Sequence, residues 1–249
     1  MTRSLLPSRL SVVVLCMSMT GMAHGQIVID DFESYALGDI NGVGGWTVNN
    51  ATGEVAVDPL DATNQVLFTT GGAKRIFKAL GANAIAEGDD SKVLSFRGMW
   101  AADFADTGAG LTQLTSPTGF GDYATQMRGH ETTGPVGGPS LDVNDGGSFV
   151  HVADLAFNVW YDLSYSVRQS TDTFDLTISG GGLVSPVTYS NAGFRNTAAG
   201  ALESFFIASG NGGTAAFYVD DITVIPEPAT ITMLFLGGLM ALGLLRRPS

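Results

Sequence analysis

The sequence predicts an all-β fold, a sandwich of antiparallel strands, on three observations. Glycine accounts for 33 of 249 residues, nearly double the usual ~7 %, and it clusters between short apolar stretches. Within those stretches apolar residues recur at every second position, the period of a strand with one face buried. Between them lie Gly, Asn and Asp groups of the kind that make tight turns, with little sign of helix. Many short strands joined by such turns close into a sandwich or barrel, and no repeat of fixed period is present.

Taken in order, the strand candidates are 27–32, 65–70, 74–80, 92–99, 160–169, 173–179, 204–209 and 215–224. In Leu163-Ser-Tyr165-Ser-Val167 the alternation is strict. The polar break Ser170-Thr171-Asp172 then leads into Phe174-Asp-Leu176-Thr-Ile178, so these two runs form a hairpin. Asp142-Val-Asn144-Asp145-Gly146 is a fragment of a calcium-loop pattern that lacks the closing bidentate Glu, and it reads as a tight turn.

The ends of the chain carry a different signal. Arg3 and Arg9 precede an apolar stretch from Leu10 to Met22, and Ala23-His24-Gly25 offers small residues at −3 and −1. This is the three-part pattern of a secretory signal peptide over 1–25, cut before Gln26. At the other end Pro226-Glu227-Pro228 is followed by the apolar run 229–245 and then Arg246-Arg247. As a helix rising 1.5 Å per residue that run is about 26 Å long, close to the thickness of a thin bilayer, and the two arginines keep its end cytoplasmic. The order Pro-Glu-Pro, apolar run, basic pair resembles the PEP-CTERM sorting signal. That resemblance implies a C-terminal transmembrane helix, processing by an exosortase, and residence in the envelope, surface or extracellular matrix of a Gram-negative bacterium.

The segment between, 26–225, is the β-sandwich domain. The single cysteine, Cys16, lies in the signal segment, so no disulfide can staple the domain. Setting aside Arg3, Arg9, Arg246, Arg247 and Glu227 leaves 8 basic against 23 acidic residues, a formal net charge of −15. Such a surface repels nucleic acid and anionic headgroups. It also disfavours an anionic polysaccharide unless a cation bridges the two.

Local sequence narrows the sandwich. Ile29-Asp30-Asp31-Phe32-Glu33-Ser34-Tyr35 with Trp46 resembles the first strand of concanavalin A-like (LamG or carbohydrate-binding-module-like) jelly rolls. Trp160-Tyr161-Asp162-Leu163 with Phe174 to Ile178 is similar to their central hairpin, and Phe217 to Val224 to the last strand, which lies beside the first. The resemblance implies a structural Ca²⁺ where those two strands meet, at Asp31 or Glu33 on one side and Asp220 or Asp221 on the other. Carboxylates and carbonyls supply the six to eight oxygens that calcium needs. The alternative reading of the same acidic pairs is as edge and turn residues.

Catalytic patterns are thin. The paired carboxylates on one strand used by jelly-roll glucanases are absent. Alginate-lyase jelly rolls use a Gln-x-His strand; the nearest match is Gln126-Met127-Arg128-Gly129-His130. Alternation places Gln126, Arg128 and His130 on one face, with Arg97 as a candidate neighbour and Tyr123 upstream. For carbohydrate binding, Trp46, Trp100 and Tyr123 are the candidate stacking aromatics. Trp100 is the best exposed of them because polar residues follow it, and Trp160, inside an apolar run, is expected in the core. The sequence favours a non-catalytic sandwich that associates with extracellular polysaccharide. The alternative is a polysaccharide lyase or glycoside hydrolase.

Overall fold

The computed structural model describes residues 26–49, 52–70, 75–101, 106–130, 138–197, 200–209 and 216–226. The signal segment 1–25, Glu227, Pro228, the apolar run 229–245, Arg246 and Arg247 lie outside the described residues. Among the described residues no helix is long and apolar enough to cross a membrane.

Among the described residues sixteen strands form two antiparallel sheets. They are β1 (Ile27–Asp30), β2 (Gly38–Asp39), β3 (Trp46–Asn49), β4 (Thr52–Val57), β5 (Gln65–Thr70), β6 (Arg75–Ala79), β7 (Lys92–Trp100) and β8 (Thr107–Thr112). The second half of the chain supplies β9 (Tyr123–His130), β10 (Ser140–Asp145), β11 (Ser148–Asp154), β12 (Tyr161–Arg168), β13 (Thr173–Gly180), β14 (Val187–Gly193), β15 (Ser204–Ser209) and β16 (Phe217–Pro226). The larger sheet runs β14-β13-β12-β7-β16-β5-β4-β2 with β1 beside β16; the smaller runs β11-β10-β9-β8-β15-β6-β3. All eight strands expected from the alternation are present, within two residues at each end.

The core lies between the sheets. Along β12 the burial alternates without a break, placing Tyr161, Leu163, Tyr165 and Val167 inward. Phe96 of β7 meets Phe205 of β15 edge-on at 5.1 Å between ring centroids. Tyr165 donates its hydroxyl to the Ala109 carbonyl at 2.8 Å, a buried bond that ties one sheet to the other. Burying a side chain of this size stabilises the fold by about 1.5–3 kcal/mol.

First and last strands pair, as expected: Ile27 faces Val224 and Val28 faces Thr223. On that edge β16 pairs with β5 through 217–219 and with β1 through 222–224. A bulge between Asp220 and Thr223 marks the changeover, and Asp221 there has φ 50°. The Asp pair is therefore the hinge of a β-bulge, a device that redirects a strand. Pro226 continues β16 opposite Lys92, one residue past the expected domain end, a strand-end position proline tolerates.

Instead of a disulfide, a buried carboxylate staples the first strand. Asp30 Oδ2 accepts hydrogen bonds from Lys78 Nζ at 2.5 Å, Trp46 Nε1 at 2.7 Å and the Tyr35 hydroxyl at 2.9 Å, while Oδ1 accepts from the Phe32 amide. Burial and the Asp30 carboxylate push the Tyr35 phenol up to about 12. Two expectations change here. Trp46 is 1 % exposed and is a core residue spent on Asp30, not a sugar platform. The 142–146 segment is not only a turn: Ser140–Asp145 is strand β10, and the turn itself is Gly146-Gly147, both at positive φ.

Candidate functional site

The outer face of the smaller sheet carries the candidate site, and strand β9 is its spine. As the alternation requires, Gln126, Arg128 and His130 share the outer face while Met127 enters the core. Strand β8 lies unusually close to β9. A Cβ on Gly108 would meet the Met127 carbonyl at 1.7 Å, and one on Gly110 the Thr125 carbonyl at 2.0 Å. Gly110 pairs with Gln126 and Gly108 with Ala208 of β15. Over Ala208 and Ser209 of β15 lies a cleft of about 160 Å³, lined also by Gln126, Arg128, Asp106, Phe120, Phe149 and Arg195.

Each wall has a local cause. Phe120 sits in the 3-10 turn Phe120–Asp122, just before β9. The Asp122 carboxylate holds that turn by accepting the Thr118 and Gly119 amides at 2.6 and 3.0 Å. Phe149 comes from β11, opposite Asn144 of β10. Arg195 follows β14 on a segment pinned to β9. Its amide bonds the Ala124 carbonyl at 2.8 Å, and the neighbouring Asn196 amide donates to the Tyr123 and Phe120 carbonyls.

Charge on this face is organised around Arg128. Its guanidinium donates to Asp106 at 2.7 Å and to Asp142 at 3.2 and 3.3 Å, and lies over the Phe149 ring at 3.8 Å. Asp106 also bonds His130 Nδ1, which orients the ring. Ser140 extends the network, donating to Asp142 at 3.1 Å and lying 2.7 Å from His151 Nδ1. Arg195 donates to the Gln126 side-chain Oε1 at 2.8 Å and lies 5.4 Å from the Phe120 ring.

The expected site residues divide. Gln126, Arg128 and His130 do belong together. Tyr123 is adjacent but 1 % exposed, stacked on Phe206 at 3.8 Å, and burial pushes its phenol up to about 12. It closes one end of the face and offers no ring to a ligand. Trp100 is 0 % exposed, packs on Phe217 at 4.8 Å and donates to the Thr107 carbonyl; the best exposed candidate is core. Trp160, expected in the core, is only half-buried, bonded to Asp58 and covered by the Arg97 guanidinium. Arg97 belongs to the other sheet, within 3.9 Å of Asp162, Asp220 and Asp221. Asp106, Phe149, Phe120 and Arg195 carried no local signal in the sequence, since they reach β9 from separate strands and loops.

Three of the four candidate calcium ligands accept hydrogen bonds within the chain, and the fourth, Asp221, is exposed beside Arg97. Glu33 Oε1 accepts the Gln65 amide at 2.8 Å and Asp31 accepts the Glu33 amide. Asp220 accepts from Asn64 Nδ2 and from the Asp221 amide, with Arg97 as a nearby cation. Among the described residues no three acidic, His or Cys side chains gather as a metal site. The donor set does not fit a calcium clamp.

No protein-family profile matches the chain, and no curated protein matches it in sequence. Among solved structures, a sialidase matches with a TM-score of 0.52 and 11 % identity, over 82 % of this chain but 19 % of that one. The chain thus spans about a fifth of the sialidase. A carbohydrate esterase from Shiga toxin-encoding bacteriophage phi24B matches at 0.51 and 14 % identity, covering 82 % of this chain and 100 % of that one. The catalytic domain of a glycoside hydrolase family 131 protein from Coprinopsis cinerea matches at 0.50 and 13 %, over 82 % and 96 %. At these identities the likeness establishes a shared β-sandwich fold.

Proposed function

We propose that this is an exported β-sandwich protein that associates with extracellular polysaccharide through the cleft on the β8–β9–β15 face. The observation that carries the reading is the makeup of that cleft. A floor of Ala208 and Ser209 is flanked by two phenylalanines and by the amide and guanidinium donors of Gln126, Arg128 and Arg195. Apolar edges for the C–H face of a sugar and planar donors for its oxygens are what a small polar ligand requires. At about 160 Å³ the cleft falls below the ~300–1,000 Å³ of drug-sized pockets, a scale suited to one ring of a longer chain. The sequence supports the export half: a signal peptide at the front, and a tail resembling a PEP-CTERM signal that an exosortase would process near Pro226-Glu227-Pro228.

A second reading has one observation in its favour. Asp106, which lines the same cleft, orients the His130 ring beside it, an imidazole–carboxylate pair of the kind used in general acid–base catalysis. Carbohydrate esterases and glycoside hydrolases share the fold, so a carbohydrate-active enzyme is the alternative. One experiment addresses both: a glycan panel probed with the purified full-length chain, run beside reducing-sugar, ester-release and unsaturated-uronate assays. Binding without turnover supports the first reading, turnover lost in His130→Ala supports the second, and neither binding nor turnover overturns both. Recovery of peptides from 229–245 in the surface-associated protein would argue against tail processing.

A further inference from the structure

We propose that the cleft selects an acidic glycan, a sugar unit bearing a carboxylate that the Arg195 guanidinium receives, with Arg75 continuing the cationic strip along the chain of sugars. The proposal rests on the glycan-binding reading of the cleft and names its ligand class.

The argument begins with where positive charge goes uncompensated. Seven basic residues of the sandwich lie among the described residues. Lys78, Lys92, Arg97, Arg128 and Arg168 each have a carboxylate within 4.0 Å. Among the described residues Arg75 and Arg195 have no carboxylate within 4.0 Å; the Arg75 charge is felt by the Asp122 carboxylate at longer range, whereas Arg195 has no such partner there. Both lie on one sheet face. Arg75 pairs with Ala208 across β6 and β15, and Ala208 is the floor of the cleft that Arg195 overhangs. The positive charges of both arginines reach the buried phenol of Tyr123, between them, and favour its ionised form.

Arg195 is also held ready. One nitrogen is fixed on Gln126 and the plane is braced against Phe120, so the fork loses little freedom on binding. Burial and the neighbouring Arg128 charge both weigh against its proton, yet an arginine stays charged at neutral pH. A cation that is partly desolvated and unpaired gains most from an incoming anion. A planar carboxylate matches the guanidinium fork in two parallel hydrogen bonds. Arg128 is not the receiver, because Asp106 and Asp142 already neutralise it.

The chain's overall negative charge opposes such a ligand only at long range. At 0.1 M salt the Debye length is about 10 Å, so distant carboxylates are screened while contact pairs in a cleft are screened far less. Local geometry therefore wins over net charge, and no bridging cation is needed.

Calorimetric titration of the full-length chain in detergent, with a galacturonate hexamer, its carboxyl-reduced counterpart and a sulfated hexasaccharide, tests the proposal. The galacturonate hexamer should bind about tenfold or more tightly than the reduced one, as one bidentate charge-assisted contact requires. Arg195→Met should abolish that preference, Arg195→Lys should retain only part of it because the fork is lost, and Arg75→Met should weaken it. Unchanged melting temperatures would show that the variants fold. Equal affinity for the acidic and reduced hexamers would overturn the acidic ligand while leaving the glycan cleft standing. A preference for the sulfated sugar alone would overturn the carboxylate, and a preference that survives both methionine variants would overturn the assignment to these arginines. If none of the three binds, the cleft reading itself fails.

Discussion

The Asp220→Asn variant should gain stability relative to the wild type as the pH rises from 4 to neutral. Asp220 sits in the bulge where β16 exchanges β5 for β1, and its side chain is 2 % exposed. Burial pushes its carboxyl from 3.8 up to about 6. The Asn64 and Asp221 hydrogen bonds favour ionisation, but the neighbouring Asp221 charge opposes it, and Arg97 at 3.9 Å is too distant and too exposed to reverse the balance. The native state thus holds a proton that the unfolded chain releases between about pH 4 and 6. Across that window the native state binds more protons, so stability falls as pH rises, and above the folded pKa the full cost is present. A shift of about two units corresponds to roughly 3 kcal/mol at most. Asparagine never ionises; its Oδ1 can keep the Asp221 amide, while its Nδ2 cannot accept from Asn64, a cost that does not vary with pH. Urea unfolding of both proteins at pH 4, 5, 6 and 7.5 should show the variant gaining about 1–3 kcal/mol on the wild type as pH rises. A difference that does not change with pH, or one that moves against the variant as pH rises, would refute the reasoning and make Asp220 an ionised partner of Arg97.

Three other outcomes follow from the same structure. Asp30→Ala leaves the buried Lys78 ammonium without its partner and should cost about 3–5 kcal/mol; adding Lys78→Met should recover part of the loss, read by thermal unfolding. Gly129→Ala places a Cβ 2.4 Å from Trp100 Nε1 and should destabilise by about 1–3 kcal/mol through overpacking, with a change in the near-ultraviolet dichroism of the indole. Melting in millimolar calcium and in chelator should give equal midpoints, since Glu33 and Asp220 are satisfied by Gln65 and Asn64; a gap of several degrees would restore the calcium clamp.

How much of this was legible in the sequence depended on whether the signal was local. Strand β12 announced itself because its inward residues alternate with Asp162, Ser164 and Ser166. The same rule was available for Trp100 and was overridden by the polar residues after it. Leu94, Phe96, Gly98 and Trp100 are one inward row of β7, and the row, not the flanking composition, decides burial. Strand β10 was hidden for the opposite reason. Asp142 and Asn144 resembled a loop, although Leu141 and Val143 between them enter the core. Polar residues on an outer sheet face and polar residues in a turn look alike until the intervening positions are weighed.

The candidate site was legible in one strand and illegible beyond it, and pairing explains the division. Alternation along β9 fixes that Gln126, Arg128 and His130 share a face, because a strand's own geometry requires it. What stands over those residues depends on which segments lie next to β9 in space. Asp106 reaches it from the start of β8, Phe149 from β11 and Arg195 from a connection tied down by its own backbone bond to Ala124. None of these segments carries a motif, and Ala208, which floors the cleft, looks like any other alanine of a strand. The charge argument inverts in the same way. Summed over the domain, the residues repel an anion. Sorted by partner, five of the seven cations among the described residues have a carboxylate within 4.0 Å, and the other two face one side of one sheet. Net charge governs approach, but what the cleft holds is decided by the pairs left unmade.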